Sequence, residues 1–369
     1  IVIDNDISCY SVPQFSSIRP MPETTQHRTK PTIRDVAAAA QVSVPTVSRV
    51  LNERYGVAPA TAARVRQAIA ELGYESSLAA RGMRGARTGV IGLIMPDMDH
   101  SYAVEVIKGV SRAVTGTDYD LLAMTSGRKS PDARSLWEQQ QIARLNGTIV
   151  DGTIVVVPDA GEFRTDYPLV TLDPYRQSTA HPAVIGANRE GAMAAMRYLA
   201  TLGHRRIGFV TGIEHLQSAA RRRQGYDDAL AELSLPFDAN LVVAGEFVRE
   251  GGYVAAEMLL ALDDPPTAIF AANDDSAFGV MDAAHDAGLH IPEDLSVIGF
   301  DNVPEAAVAQ PPLTTLDQSI GAMAEAAVTM LMELISGNRV LQRQRVSTRL
   351  IVRESCAPVA GHSVRPLTT

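Results

Sequence analysis

Apolar positions in residues 32–52, TIRDVAAAAQVSVPTVSRVLN, recur at helical spacing either side of a tight break. Val36, Ala37 and Ala40 make one stripe, and Val47, Val50 and Leu51 make the other. Thr32 can cap the first helix, with Asp35 three residues on as the acidic half of a capping box. Gln41-Val42-Ser43 is too short for anything but a turn. Ser43 can cap the second helix, and Pro45 is tolerated there because first-turn amides lack an intrahelical partner. A third helix is predicted from about residue 59 to 72, with Gly73 as its stop. Val65, Ile69 and Leu72 are spaced to close a three-helix core.

The pattern changes from Thr88. GVIGLIM is an apolar run that ends in turn residues and reads as a strand. Helices at 102–114 and 131–145 then alternate with strands at 120–124, 153–157 and 169–172. A second series begins near Arg206: strand 207–211, helix 219–233, strand 241–243, helix 252–262, strand 268–271, helix 276–287 and strand 295–300. TTLDQS at 314–319 leads to a helix over 320–335 and one final strand over 345–352; the last dozen residues read as a loose tail. This alternation predicts βαβ units and parallel sheets covered on both faces. The fold class is therefore α/β: a three-helix, helix-turn-helix headpiece followed by two lobes, with a cleft at the carboxyl ends of their strands.

Composition adds boundaries. At 369 residues, the chain is long enough for two or three domains. Residues 1–30 are polar, carry Pro13, Pro20 and Pro22, and predict a disordered tail within which Met21 is a candidate start. No apolar run reaches about 18 residues. Asp4 and Asp6 stand where a signal peptide needs positive charge, so the expected location is cytoplasmic. Cys9 and Cys356 lie far apart in unpatterned sequence, which predicts neither a disulfide framework nor a metal site.

Charge is uneven. Residues 28–87 carry ten Arg/Lys against four Asp/Glu, net +6, and residues 88–369 carry 22 against 35, net −13. A basic module on an acidic body points to one local polyanion site. An enzyme is disfavoured: no G-x-G-x-x-G follows a strand, no P-loop occurs, and no nucleophile–base group stands out. The eight histidines show no metal spacing, and His204 and His215 read as surface or core residues. No cofactor is expected.

Two helices about a three-residue turn suit a reading head whose second helix enters the major groove, although the same spacing also suits a plain helical hairpin. The residues are more specific. The pattern DVA…A.VS..TVSRVLN closely resembles the DNA-binding headpiece of the LacI/GalR family of bacterial transcription regulators, and the resemblance extends over residues 30–357. It implies a headpiece at 31–75, a hinge helix at 76–87 and a two-lobed effector-binding and dimerisation domain at 88–356. The N-terminal lobe would take 88–187 and 317–342, the C-terminal lobe 188–316 and 343–356, leaving a tail at 357–369. Tyr74 matches a usual aromatic position of the headpiece.

The implied activity is that of a homodimeric repressor on a palindromic operator, answering a small molecule, most readily a sugar. A nucleoside or purine effector, or none, are the alternatives. A transport binding protein would need an export signal and would carry no basic headpiece. Val44, Pro45 and Arg49 are placed to read bases, the first two by apolar contact and Arg49 through a bidentate fork to guanine. Thr32, Ser43, Thr46, Ser48, Asn52 and Tyr55 would serve the phosphates or fix the backbone. In the hinge, Ala80, Met83 and Arg84 would meet the minor groove, with Met83 as the wedge where the family most often has Leu. Ser76 and Ser77 replace the common Pro-Asn. The effector residues implied are Asp99, Ser101, Tyr102, Asp173, Arg222 (in an R..GY pattern), Phe247, Asn273, Asp301 and Gln318. Asp274 is expected to cap the helix that follows it.

Overall fold

Val36, Val47 and Val65, one from each of three short helices, are fully buried against one another. The computed structural model describes residues 31–51, 56–74, 87–98, 100–127, 129–174 and 180–359. The expectations for the tail at 1–30, the hinge at 76–86 and the last ten residues lie outside these, as do Asn52, Tyr55, Ala80, Met83, Arg84 and Asp99. Residues up to Ser76 and residues from Ser77 onward form two compact units.

The first unit holds α1 (Ile33–Ala39), α2 (Val44–Leu51) and α3 (Pro59–Leu72). The Asp35 carboxylate accepts from the Thr32 amide at 2.7 Å and from its hydroxyl at 2.7 Å, the acidic half of the expected cap. α3 has Pro59 in its first turn and stops at Gly73, whose φ of 60° suits a residue without Cβ. One expectation fails here: Leu72 is 38% exposed. Ala68 and Tyr74 close the core instead, because the stripe through Val65 continues at 68, one turn on, and the chain folds back after Gly73.

The second unit contains two six-stranded sheets. The first takes β1 (Val90–Met95), β2 (Asp120–Thr125), β3 (Gly152–Val156), β4 (Leu169–Leu172), β5 (Ala183–Gly186) and β11 (Arg343–Val346). Its order is β11-β5-β4-β3-β1-β2, all parallel. The second takes β6 (Ile207–Thr211), β7 (Val242–Ala244), β8 (Ala268–Ala271), β9 (Ser296–Asp301), β10 (Thr314–Asp317) and β12 (Arg349–Ile351). Its order is β12-β10-β9-β8-β6-β7, parallel except for β12. β1 and β3 are buried along their whole length, which is why they read as unbroken apolar runs.

Helices α4 (Ser101–Val114), α5 (Pro131–Leu145) and α10 (Ile320–Ile335) belong with the first sheet; α6 (Asn188–Thr201), α7 (Gln217–Glu232), α8 (Arg249–Leu260) and α9 (Asp274–Asp286) belong with the second. Three elements were not read from the pattern: β5, α6 and β10. The buried side of α6 includes Ala192, Ala195, Met196 and Leu199.

The single strand expected over 345–352 is two strands. β11 lies parallel to β5 in the first sheet, and β12 lies antiparallel to β10 in the second. Residues 343–346 therefore belong with the first lobe, not the second. The break falls where the chain changes sheets. The tail expected from 357 also begins later: the Ala357 amide donates to Ser296 Oγ at 3.0 Å and the Val359 amide to Leu202 O at 2.9 Å.

Candidate functional site

In the first unit, amphipathic packing decides what α2 shows to solvent. Val47 and Val50 face inward, so Val44, Pro45 and Arg49 are exposed, with Thr46 and Ser48 half-buried. Gln41 takes a φ of 53° in the turn. Ser43 Oγ lies 2.9 Å from Thr46 Oγ1 and 3.4 Å from the Thr46 amide, so both hydroxyls help to start the helix. The exposed face offers two apolar contacts and one planar five-donor fork, the group suited to guanine O6 and N7.

In the second unit, each sheet has a switch point where the strand order reverses, beside β1 and β3 in one and beside β6 and β8 in the other. Ligands of such sheets bind beyond the carboxyl ends of those strands. A cavity of about 230 Å³ lies there, with Met95 and Val156 from the first sheet and Asn273 and Asp301 from the second in its wall. Tyr102, Asp173, Arg222, Phe247, Asn273, Asp301 and Gln318 all line it. Ser101 does not; its hydroxyl donates to Asp275 Oδ1 at 3.1 Å, tying α4 of one lobe to α9 of the other.

The wall is built on strained backbone. Val157, Asp173, Glu246, Phe247 and Asp301 carry φ values of 43°, 49°, 56°, 62° and 123°. Left-handed conformations cost non-glycine residues on the order of 1–3 kcal/mol each and gather at functional sites.

Arg222 organises the interior. Its Nε donates to Asn188 Oδ1 at 2.8 Å, Nη1 donates to Ala272 O and lies 3.3 Å from Asp301 Oδ1, and Nη2 donates to Gln318 Oε1 at 3.3 Å. Its Cζ stands 3.7 Å from the Phe300 ring centroid and 5.6 Å from that of Phe247. Gln318 Nε2 donates to Asp301 Oδ1 at 2.6 Å. The guanidinium is thus fixed by protein before any ligand arrives.

Asn273 is also committed, its Oδ1 accepting from the Ser276 amide at 3.1 Å and its Nδ2 donating to Phe247 O at 3.0 Å. It caps α9 and holds the Phe247 loop. Asp274 is not the cap. It is a buried brace that accepts from the Val303 amide at 2.9 Å and from the Thr315 hydroxyl at 2.5 Å.

Burial raises the carboxyl pKa of Asp173, and Arg222 pulls the other way. Asp301 and Asp274 are both raised, burial first, with Arg222 opposing at Asp301 and Asp301 adding at Asp274. Burial, then Asp173, holds the Tyr102 hydroxyl well above its ordinary value. The family resemblance named seven of the side chains that line the cavity but missed His100, Lys129, Glu246 and Asp275, which also line it. Extending the strand-end rule to β2, which precedes Lys129, would have found one of them.

Residues 32–77 match the family described as bacterial regulatory proteins, lacI family, and residues 196–356 match a periplasmic binding protein-like domain. The HTH-type transcriptional repressor PurR of Vibrio atlanticus (strain LGP32) is 34% identical over 313 residues, 82% of this chain and 92% of that protein. The structure of the Lac repressor dimer bound to operator and the anti-inducer ONPF is 25% identical, with a TM-score of 0.76 over 89% of this chain and 100% of that one. A transcriptional regulator CelR–cellobiose complex is 29% identical, with a TM-score of 0.64 over 88% and 99%. No helix among the described residues is long and apolar enough to cross a membrane.

Proposed function

The chain belongs to the lacI family of bacterial regulatory proteins, and from that premise we propose that it is a cytoplasmic transcriptional repressor that binds a palindromic operator as a homodimer and answers a small polar effector, a sugar. Residues 31–75 read DNA, 76–87 link, and 88–356 sense and dimerise. The observation that carries this reading is the pairing, on one chain, of an exposed Val44–Pro45–Arg49 face with a cavity at two sheet switch points whose largely apolar wall carries Arg222, Asp301 and Gln318. The first suits base edges; the second suits a ligand of hydroxyls and apolar faces. The Lac repressor structure holds operator and a small molecule as a dimer, and the CelR complex holds cellobiose; both support the reading. The reading assigns the chain no catalysis.

One headpiece reads only a few base pairs, so two-fold protein symmetry matched to a two-fold site supplies the remaining specificity. The effector acts as a population shift: it favours one separation of the lobes, and that separation favours or disfavours operator binding. An effector that prefers the DNA-competent state is a co-repressor, and one that prefers the other state is an inducer.

The test is selection of operators from a random duplex library, then anisotropy titrations of wild type and Arg49→Ala on the selected sequence and a scrambled one. The variant should lose about 1–3 kcal/mol of discrimination while keeping salt-sensitive binding to both duplexes. Full preference retained by Arg49→Ala would overturn the assignment of α2 as the reading helix.

A further inference from the structure

Arg221 and Arg222 are consecutive on α7 and serve different cavities. Arg222 lines the effector cavity. Arg221 lines a second one, of about 430 Å³, between the β5–β11 edge of the first sheet and helices α6 and α7. Among the described residues the two cavities share Asp173 and nothing else.

Local structure fixes what faces the second cavity. β11 runs parallel to β5, with Arg343 opposite Ala183 and Arg345 opposite Ile185. Alternate strand residues share a face, so all four lie on one side. Val184 and Val346, on the other side, belong to the core of the first lobe, which leaves Arg343 and Arg345 to the cavity. On α7, Gln217, Arg221 and Gln224 recur at i, i+4 and i+7 and so share one helical face. Arg189 adds to the wall from the first turn of α6.

The charges there do not balance. The wall carries four arginines, Arg189, Arg221, Arg343 and Arg345, against two acids, Asp173 and Glu190. This positive excess stands in a part of the chain, residues 88–369, that is net −13. Arg345 pairs with Glu190. Every other arginine of α6 and α7 meets a carboxylate: Arg189 with Asp228 at 2.6 Å, Arg197 with Glu232 at 2.5 Å, Arg222 with Asp301 at 3.3 Å and Arg223 with Asp227 at 2.9 Å. Arg221 instead donates from Nη1 to the neutral Gln224 Oε1, at 3.0 Å. Guanidinium forks gathered in excess of acids suit an oxyanion, which takes paired N–H bonds from each fork. A lone carboxylate brings one negative charge, whereas a phosphate monoester brings about two near neutral pH. The second matches the excess in the wall.

We propose that this cavity is a second ligand site, which takes the phosphoryl group of a small metabolite on Arg221, Arg343 and Arg345. It is separate from the effector cavity and does not depend on what fills that one. β11 of the first lobe and α7 of the second both supply forks. Occupancy therefore ties the lobes together and gives the protein a second input beside the effector.

The test is calorimetric titration of the full-length protein, at constant ionic strength, with pyrophosphate, orthophosphate and ribose 5-phosphate. One saturable site per chain is expected, and the tighter of the inorganic and organic probes tells which source the site is built for. Uncharged ribose should not displace a bound phosphate. Arg221→Gln and Arg343→Gln should each weaken binding about tenfold, the worth of one charge-assisted contact. Arg197→Gln, on the same helix pair but outside the cavity, should leave it unchanged. Thermal unfolding checks that each variant folds. Absence of saturable binding by all three phosphates overturns the proposal. Binding that survives either cavity substitution unweakened also overturns it, since the anion then sits in the effector cavity or on the open surface.

Discussion

Arg222 is the most heavily committed side chain in the cleft, and its removal should cost stability before it costs recognition. Its side chain is 4% exposed and that of Asp301 is 6% exposed, so Arg222→Ala leaves a carboxylate buried without its counter-charge. Breaking a buried pair in this way costs about 3–5 kcal/mol. Chemical denaturation at pH 8 followed by tryptophan fluorescence should show that loss, and a change below about 1 kcal/mol would mean that Asp301, whose pKa burial already raises, takes up a proton instead. Lysine should not rescue the site, since one ammonium cannot reproduce a planar fork over the Phe300 ring. Seven cleft residues could be named from the sequence because it resembles a known family, whose effector positions fall at strand ends that the apolar pattern marks and at the R..GY pattern. Their roles were less legible. Ser101 bonds Asp275, 174 residues away, and Asn273 holds a loop 26 residues back. Partners so distant leave no local signature.

Elements positioned by their neighbours were likewise harder to read than elements positioned by their own pattern. β1, α5 and α10 declare themselves by run or period. The join of α6 and α7 declares itself only through Gly225, where a Cβ would come within 2.3 Å of the Arg189 carbonyl oxygen and 2.7 Å of the Ala192 Cβ. The glycine after Arg222 is thus a packing requirement that brings α7 against α6 and aims Arg222 at the cavity. α5 illustrates a different coupling. Its Glu138 is buried and accepts from the Asp159 and Ala160 amides at 3.2 Å and 2.9 Å, bracing the loop after β3. Burial lifts its carboxyl from 4.5 to about 7, against the pull of those two amides. The folded chain therefore keeps this proton where the unfolded chain has released it. Its contribution to stability is present in full below pH 4.5 and is lost as pH rises through about 7. Urea unfolding from pH 5 to 8 should show wild type losing stability with rising pH and Glu138→Gln losing less. Equal slopes for the two proteins would mean that Glu138 does not titrate in that window.

At the scale of the whole molecule, the two compact units have separate cores, and damage to one should leave the other's chemistry alone. Val47 is fully buried in the first unit. Val47→Ala should destabilise that unit by roughly 1–3 kcal/mol and abolish operator binding, while any effector titration of the cleft keeps its midpoint. Loss of both together would mean that the units fold as one. The basic and acidic halves of the sequence already announced two functions, and the charge ledger located the boundary between them. It could not show the route of the chain inside the larger half, which changes sheets at the end of β5, at β10–α10 and again between β11 and β12. The last change matters for anyone shortening the gene. A stop codon shortly before residue 343 would strip β11 from β5 and β12 from β10, uncovering one new edge in each sheet. Such a product would be expected to collect in inclusion bodies, even with every residue of the reading head and most of the cavity wall intact.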